Sequence, residues 1–163
     1  MKAISFDAIS IEAILAGKKT MTRRPMHITP ETEFSYGSRN RWKVGDTAYV
    51  KTGWVAEAGK KHPAMFMPKV NSPFSIRITG HSIQHLRVIC AQDVEREGID
   101  VVNHLPLCPD ILTIDQLIGM VASRLFQERW NGIYGKRPPY RWKDNPLVEC
   151  LTFIVIDNPM ARG

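Results

Sequence analysis

Long apolar runs are missing from this chain of 163 residues. With no stretch of about 18 or more apolar residues, no membrane-spanning helix is expected. The opening residues Met1-Lys2-Ala3-Ile4-Ser5-Phe6-Asp7 lack the apolar core and small-residue cleavage site of a secretory signal, so a cytoplasmic protein is expected. Cysteine is scarce: Cys90, Cys108 and Cys150 are widely spaced, and none belongs to a Cys-x-x-Cys pair. That pattern fits reduced thiols rather than a disulfide framework. The five histidines complete no metal-ligand spacing. His81 and His85, four apart, read as surface or polar-core residues, and neither a metal nor a cofactor is expected. Internal repeats and low-complexity segments are also absent.

What the chain does have is an ordinary globular composition, 44% apolar and 23% charged, and enough length for one domain over 1–163. Its charge is uneven. A net +6 favours an anionic partner, a nucleotide or nucleic acid. The cations gather at residues 18–24, 39–43, 60–61 and 136–143. Two of these clusters carry rings among the cations: Tyr36, Arg39, Arg41 and Trp42, then Tyr134, Arg137, Tyr140, Arg141 and Trp142. Cations interleaved with stacking rings suit single-stranded nucleic acid or a lone base. The competing reading is basic loops whose rings belong partly to the core.

Hydrophobic periodicity predicts a first strand over 2–6 and a short helix over 10–16 with Ser10 as its N-cap. Residues 25–43 read as a long loop. Gly45-Asp46 then turns the chain into a strand at 47–51 that ends near Trp54. Residues 56–73 read as irregular, with Met65, Phe66 and Met67 covering core or barrel mouth. A strand follows over 74–86 with a bulge at Gly80. A short charged helix over 92–97 stops at Gly98, and 101–109 is a loop. Thr113 caps the longest helix, 114–130, with apolar face Leu117, Ile118, Val121, Leu125 and Trp130, ended by Asn131-Gly132. An apolar strand at 148–156 closes the order. Scattered strands, three helices and long loops indicate an α+β fold, a small β-barrel with helices outside.

The densest chemistry lies in Gly17-Lys18-Lys19-Thr20-Met21-Thr22-Arg23-Arg24-Pro25. Gly17 sits where a left-handed helix stop belongs. If the chain then extends, Lys19, Met21 and Arg23 point one way and Thr20, Thr22 and Arg24 the other. A bend after Gly17 would instead bring Lys19 beside Thr22. A solvated basic turn is the plain alternative.

Gly17-x-Lys19-x-x-Thr22-x-Arg24 resembles the Gly-x-Lys-x-x-Glu-x-Arg signature of the ASCH domain, a relative of the RNA-binding PUA fold. The resemblance continues through Val44-Gly45-Asp46 before Ala48-Tyr49-Val50-Lys51. It runs on from the strand at 76–86 into Asp93-Val94-Glu95-Arg96-Glu97-Gly98-Ile99. It reaches Asn131-Gly132 and Trp142-Lys143-Asp144-Asn145-Pro146, and so spans most of the chain. The whole set is similar to the ASCH-like proteins common in phages and prophages, which would place the protein in a host cytoplasm. It implies a PUA-like mixed or antiparallel β-barrel.

Two positions depart from the pattern. Thr22 stands where the family usually has Glu, and Lys51-Thr52-Gly53-Trp54 replaces the usual Arg-Glu-Thr-Trp. ASCH proteins that hydrolyse N(4)-acetylcytidine share the first departure. Similarity to them implies the catalytic set Lys19, Thr22 and Glu97, with Glu95 the competitor of Glu97. In that chemistry Thr22 supplies a hydroxyl, and Lys19 takes its proton if burial or Arg24 lowers the lysine pKa. Glu97 orients water or carries a proton. Arg24 holds an oxyanion or a phosphate. Lys51 is expected at the substrate, with Trp54, Phe66 and Tyr49 as stacking rings. The implied function is a metal-independent amidohydrolase acting on N(4)-acylated cytosine nucleosides. The alternatives are a non-catalytic module binding RNA or a modified nucleotide, and a ribonuclease. Against all three, Lys19 reads as a surface lysine that grips a phosphate, Thr22 as a β-favouring strand residue and Glu97 as a helix residue paired with Arg96 or Lys19.

Overall fold

The computed structural model describes residues 1–26, 42–55, 59, 61–106 and 113–157. Most of the predicted 25–43 loop, with Tyr36, Arg39 and Arg41, lies outside the described residues, as do Lys60 and Cys108. In chain order the elements are β1 (Lys2–Ser5), α1 (Ala8–Leu15), β2 (Met21–Pro25), β3 (Thr47–Lys51), β4 (Trp54–Val55) and β5 (Lys61–His62). They continue with β6 (Ser75–His85), α2 (Ala91–Arg96), α3 (Ile114–Tyr134) and β7 (Leu147–Asp157).

Five strands form one sheet in the order β1-β3-β6-β7-β2, and β4 pairs with β5 separately. β1 runs parallel to β3, and every other pairing in the large sheet is antiparallel. Side chains alternate across a strand with period two. One face therefore gathers Ile4, Val50, Ile76, Ile78, Leu151 and Phe153 around Ile14 of α1 and Trp42. The other face of β7 presents Val148 and Cys150 to Val94 of α2 and to Val121, Phe126 and Trp130 of α3. Burying each such large apolar side chain is worth about 1.5–3 kcal/mol. β7 is thus buried on both faces from Val148 to Leu151, where it holds the two cores together. The bulge expected at Gly80 is present: the β6–β7 register shifts between Ile78 and Gly80.

Closure differs from the barrel expectation. Strands β1 and β2 are the two edges of the sheet and do not pair with each other. A side chain links them instead, as the Arg24 guanidinium donates Nη2–H to the Ser5 carbonyl. The sheet therefore curls far enough to bring its edges together but leaves a seam between them.

Three element ends also differ from the sequence reading. Helix α1 begins at Ala8 with Asp7 as its cap, whose carboxylate accepts from Ser10 N–H at 2.8 Å. Asp is as good a cap as Ser, and Ser10 goes inside instead, where its hydroxyl meets Arg129. Helix α3 runs through Asn131-Gly132 to Tyr134. An internal glycine costs only about 1 kcal/mol. The Trp130 and Tyr134 rings, 4.5 Å apart, and the 2.7 Å bond from Trp130 Nε1 to the Tyr140 carbonyl hold that last turn. Strand β3 stops at Lys51, and Trp54 belongs to the short β4–β5 pair. Within residues 56–73, Met67 is buried while Met65 and Phe66 are exposed. No described helix is long and apolar enough to cross a membrane. Cys90 and Cys150 are free thiols.

Candidate active site

Two glycine stops create the site. Gly17, at φ 72°, reverses the chain after α1, so that Lys18 and Lys19 N–H both return to the Ala13 carbonyl, at 2.9 and 3.0 Å. Gly98, at φ 84°, does the same after α2. The left-handed conformation at each point costs glycine no Cβ clash. The two reversals meet, and Lys19 and Glu97 form an isolated antiparallel bridge, reinforced by Thr20 N–H to the Arg96 carbonyl at 2.9 Å. The contact is close: a Cβ on Gly98 would sit 2.9 Å from Lys19 Cβ.

The Lys19 ammonium accordingly donates to Glu97 Oε2 at 2.6 Å and to the Glu97 carbonyl at 2.9 Å. Both side chains are buried, at 4% and 7% exposure. Glu97 Oε1 lies 3.5 Å from Arg23 Nη1, and Arg23 Nη2 donates to Asp93 Oδ2 at 2.5 Å. Glu95, by contrast, is exposed. Burial pushes the Lys19 ammonium below the ordinary lysine range, and Glu97 pulls it back. Arg129 and Arg24 add to the downward push.

Strict alternation would send Thr22 and Arg24 away from Lys19. Lys19 precedes β2, however, and β2 is an edge strand, so groups from both of its faces reach the open seam. A cavity of about 390 Å³ occupies the seam, and Lys19, Thr22, Arg23, Arg24 and Glu97 all line it. Phe6, Phe126 and Trp130 supply apolar wall, and Tyr134, Gly53 and Ala64 also border it. Arg129, on α3, lines it as well and is tied down by Asp7 (3.1 Å to each carboxylate oxygen) and Ser10 Oγ (2.9 Å). With ordinary charges, Lys19, Arg23, Arg24 and Arg129 outnumber Glu97, Asp93 and Asp7 by one, which favours an oxyanion over a cation.

The remaining expected substrate contacts fall beside this cavity. Lys51 donates to the Met65 carbonyl at 2.9 Å and lies 5.7 Å from the Tyr49 ring. Trp54 stacks on His62 with ring centroids 4.8 Å apart. Phe66 is 64% exposed. None of these three lines the cavity, whereas their neighbours Gly53 and Ala64 do. Sequence reasoning missed Arg23, Asp93, Asp7, Arg129 and Phe126. For Arg129 and Phe126 a signal existed, because positions 126, 129 and 130 share one helical face. Among the described residues no group of three or more His, Cys, Asp and Glu is placed to hold a metal ion. His81 Nε2 donates to Glu149 Oε1 at 3.2 Å, and His85 Nδ1 lies 3.1 Å from the Asn145 carbonyl.

No family model matches the chain, and no curated protein matches it significantly. Solved structures similar to it include an Enterococcus faecalis protein of family DUF984. That one is 17% identical with a TM-score of 0.46, over 100% of this chain and 82% of the other. Another is an ASCH domain from Lactobacillus crispatus, 16% identical with a TM-score of 0.46, over 96% of this chain and 80% of the other. An ASCH domain therefore stands among the structural neighbours, the family that the Gly17 to Arg24 motif resembles. At this level of likeness no residue role or activity passes from the neighbours to this chain.

Proposed function

We propose that this chain is a metal-independent amidohydrolase that removes acyl groups from N(4)-acylated cytosine nucleosides. The observation that carries the reading is the buried Lys19–Glu97 pair in a cavity that Thr22 also lines. A surface lysine would hold its proton near neutral pH. One pushed down by burial can act as a base. Thr22 Oγ adds to the acyl carbonyl as its proton passes to the neutral Lys19 amine. Arg24 stabilises the oxyanion that forms. When the C–N bond breaks, Lys19 returns the proton to the departing N(4) amine, leaving an ester on Thr22. Water then adds to that ester as Glu97 takes its proton; the acyl C–Oγ bond breaks, the proton passes to the departing Thr22 Oγ, and the carboxylic acid is freed. The cytosine ring delocalises the nitrogen lone pair, which makes N(4) a better leaving group than an alkyl amine. Phe6, Phe126 and Trp130 offer apolar wall for that ring.

The test is ultraviolet-monitored hydrolysis of N(4)-acetylcytidine, with EDTA present, by wild type, Lys19→Ala, Thr22→Ala and Glu97→Ala. Turnover by wild type and its loss in all three variants is the expected result. Failure of wild type to turn over acetyl, benzoyl or longer acyl substrates refutes the proposal.

A second reading, a binding module for RNA or a modified nucleotide, draws support from the exposed Lys136, Arg137 and Lys143 beyond Tyr134, which itself borders the cavity. Salt separates the two. Binding through many phosphates weakens steeply as salt rises, and nucleoside hydrolysis should barely change.

A further inference from the structure

Arg24 crosses the seam as a strut, and a second cavity, of about 310 Å³, lies against it. Ser5, Arg24 and Tyr134 wall both cavities. The second is distinguished by Trp42 and by a carboxylate, Glu149. Glu149 stands opposite Arg24 in the β2–β7 register, so the two side chains share a face of the sheet. It is only 8% exposed, an unusual place for a carboxylate away from the Lys19 pair. His81 Nε2 fixes its Oε1 at 3.2 Å, and its Oε2 takes no bond from a described residue. A buried acceptor, oriented by a histidine and bordering a cavity, is suited to a neutral ligand that offers hydroxyl donors.

We propose that this second cavity is a ribose subsite, in which Glu149 accepts hydrogen bonds from the vicinal 2′- and 3′-hydroxyls. The inference rests on the nucleoside reading above and sharpens it. N(4) and N1 lie at opposite ends of the pyrimidine ring. A base that presents its acyl amide to Lys19 and Thr22 therefore sends its sugar toward the far end of the site, past Arg24. A carboxylate is an acceptor only, and a vicinal diol supplies two donors to it, the same pairing that recognises ribose in dinucleotide sites. Within an RNA strand the 3′-oxygen carries a phosphodiester. That removes one of the two donors that Glu149 would accept. The substrate is then a free ribonucleoside and not a residue inside a polymer.

Binding tests this without turnover. Calorimetry would compare cytidine, 2′,3′-dideoxycytidine and cytidine 3′-phosphate on wild type and on Glu149→Gln. Wild type should bind cytidine at least about tenfold more tightly than either analogue, as expected for hydrogen bonds to a charged group. In Glu149→Gln that preference should shrink to about threefold or less, through weaker binding of cytidine. Equal binding of the three ligands by wild type overturns the subsite, and so does an undiminished preference in Glu149→Gln or no binding of cytidine at all. The wild-type comparison stands even if the variant folds poorly. A diol preference without hydrolysis of N(4)-acetylcytidine would sink the amidohydrolase and keep the subsite. Hydrolysis without a diol preference would do the reverse.

Discussion

Replacing Lys19 by methionine removes the ammonium while keeping most of the side-chain volume. Its Nζ gives two hydrogen bonds to Glu97, and the pair is buried at 4% and 7% exposure. Deleting one member of a buried pair typically costs about 3–5 kcal/mol, because the remaining charge is left desolvated. Here Arg23, 3.5 Å from Glu97 Oε1, keeps the carboxylate from being wholly orphaned. The lower end, about 3 kcal/mol, is therefore expected, or roughly 6–12 °C in Tm for a chain of this size. The double variant Lys19→Met/Glu97→Gln should recover about 2 kcal/mol of that loss, since neither remaining group then carries a desolvated charge. Arg23 would still hold Asp93. Urea unfolding with linear extrapolation reads both values, provided the slope is unchanged. The sign of the pH dependence follows from linkage. Lys19 has a folded pKa below the ordinary lysine value of 10.5, so between the two the unfolded chain binds more protons. Its contribution to stability thus rises with pH across that window, and the gap between wild type and Lys19→Met widens there. A single variant within about 1 kcal/mol of wild type would refute the reasoning, as would a double variant no more stable than the single one.

Hydrolysis should rise with pH along a limb that lies below the ordinary lysine value of 10.5, since only the neutral amine serves as base. Lys19→Arg, which stays charged, should show no such limb and no turnover, and a pH–rate profile checks this. Gly17→Ala and Gly98→Ala form a matched pair, because both glycines have positive φ but only Gly98 lies against Lys19. Gly17→Ala should cost about 1–2 kcal/mol in urea unfolding with kcat nearly unchanged. Gly98→Ala should cost more and lower kcat at least about tenfold, since the new Cβ displaces the lysine; equal kcat in the two variants would contradict this.

Much of the local structure could be read from the sequence, because it follows short-range rules. Gly17 and Gly98 as helix stops, the Gly80 bulge and the Thr113 cap each depend on a few adjacent residues. Where a local rule met tertiary packing, packing prevailed. Asn131-Gly132 is a strong stop, but the rings of Trp130 and Tyr134 carry α3 past it. Contacts between distant segments were not legible from spacing. Arg23 meets Asp93 across 70 positions and Arg129 meets Asp7 across 122, and no periodicity says which helix end faces which strand. The juxtaposition of Lys19 and Glu97, 78 apart, was anticipated through family resemblance and not through any pattern in the residues themselves. Alternation identified the strands of the sheet but carried no information about closure, which depends on whether the edge strands pair.

The open seam explains how the fold tolerates so many buried charges in one place. Were β1 and β2 paired, Thr22 and Arg24 would line no open seam. At an unpaired edge the same residues border a cavity, while the two cores flanking β7 supply the stability that the site does not. β2 need not move for this to work. It is paired along its length with β7, and its leading end is pinned by Thr20 N–H to the Arg96 carbonyl and by Phe153 N–H to the Thr20 carbonyl. Burial outweighs the pull of Glu97 on the Lys19 proton, so the environment penalises the ammonium form of Lys19. Such a pair is poor evidence of stabilisation, and in the mechanism proposed above the same imbalance is what would make Lys19 available as a base.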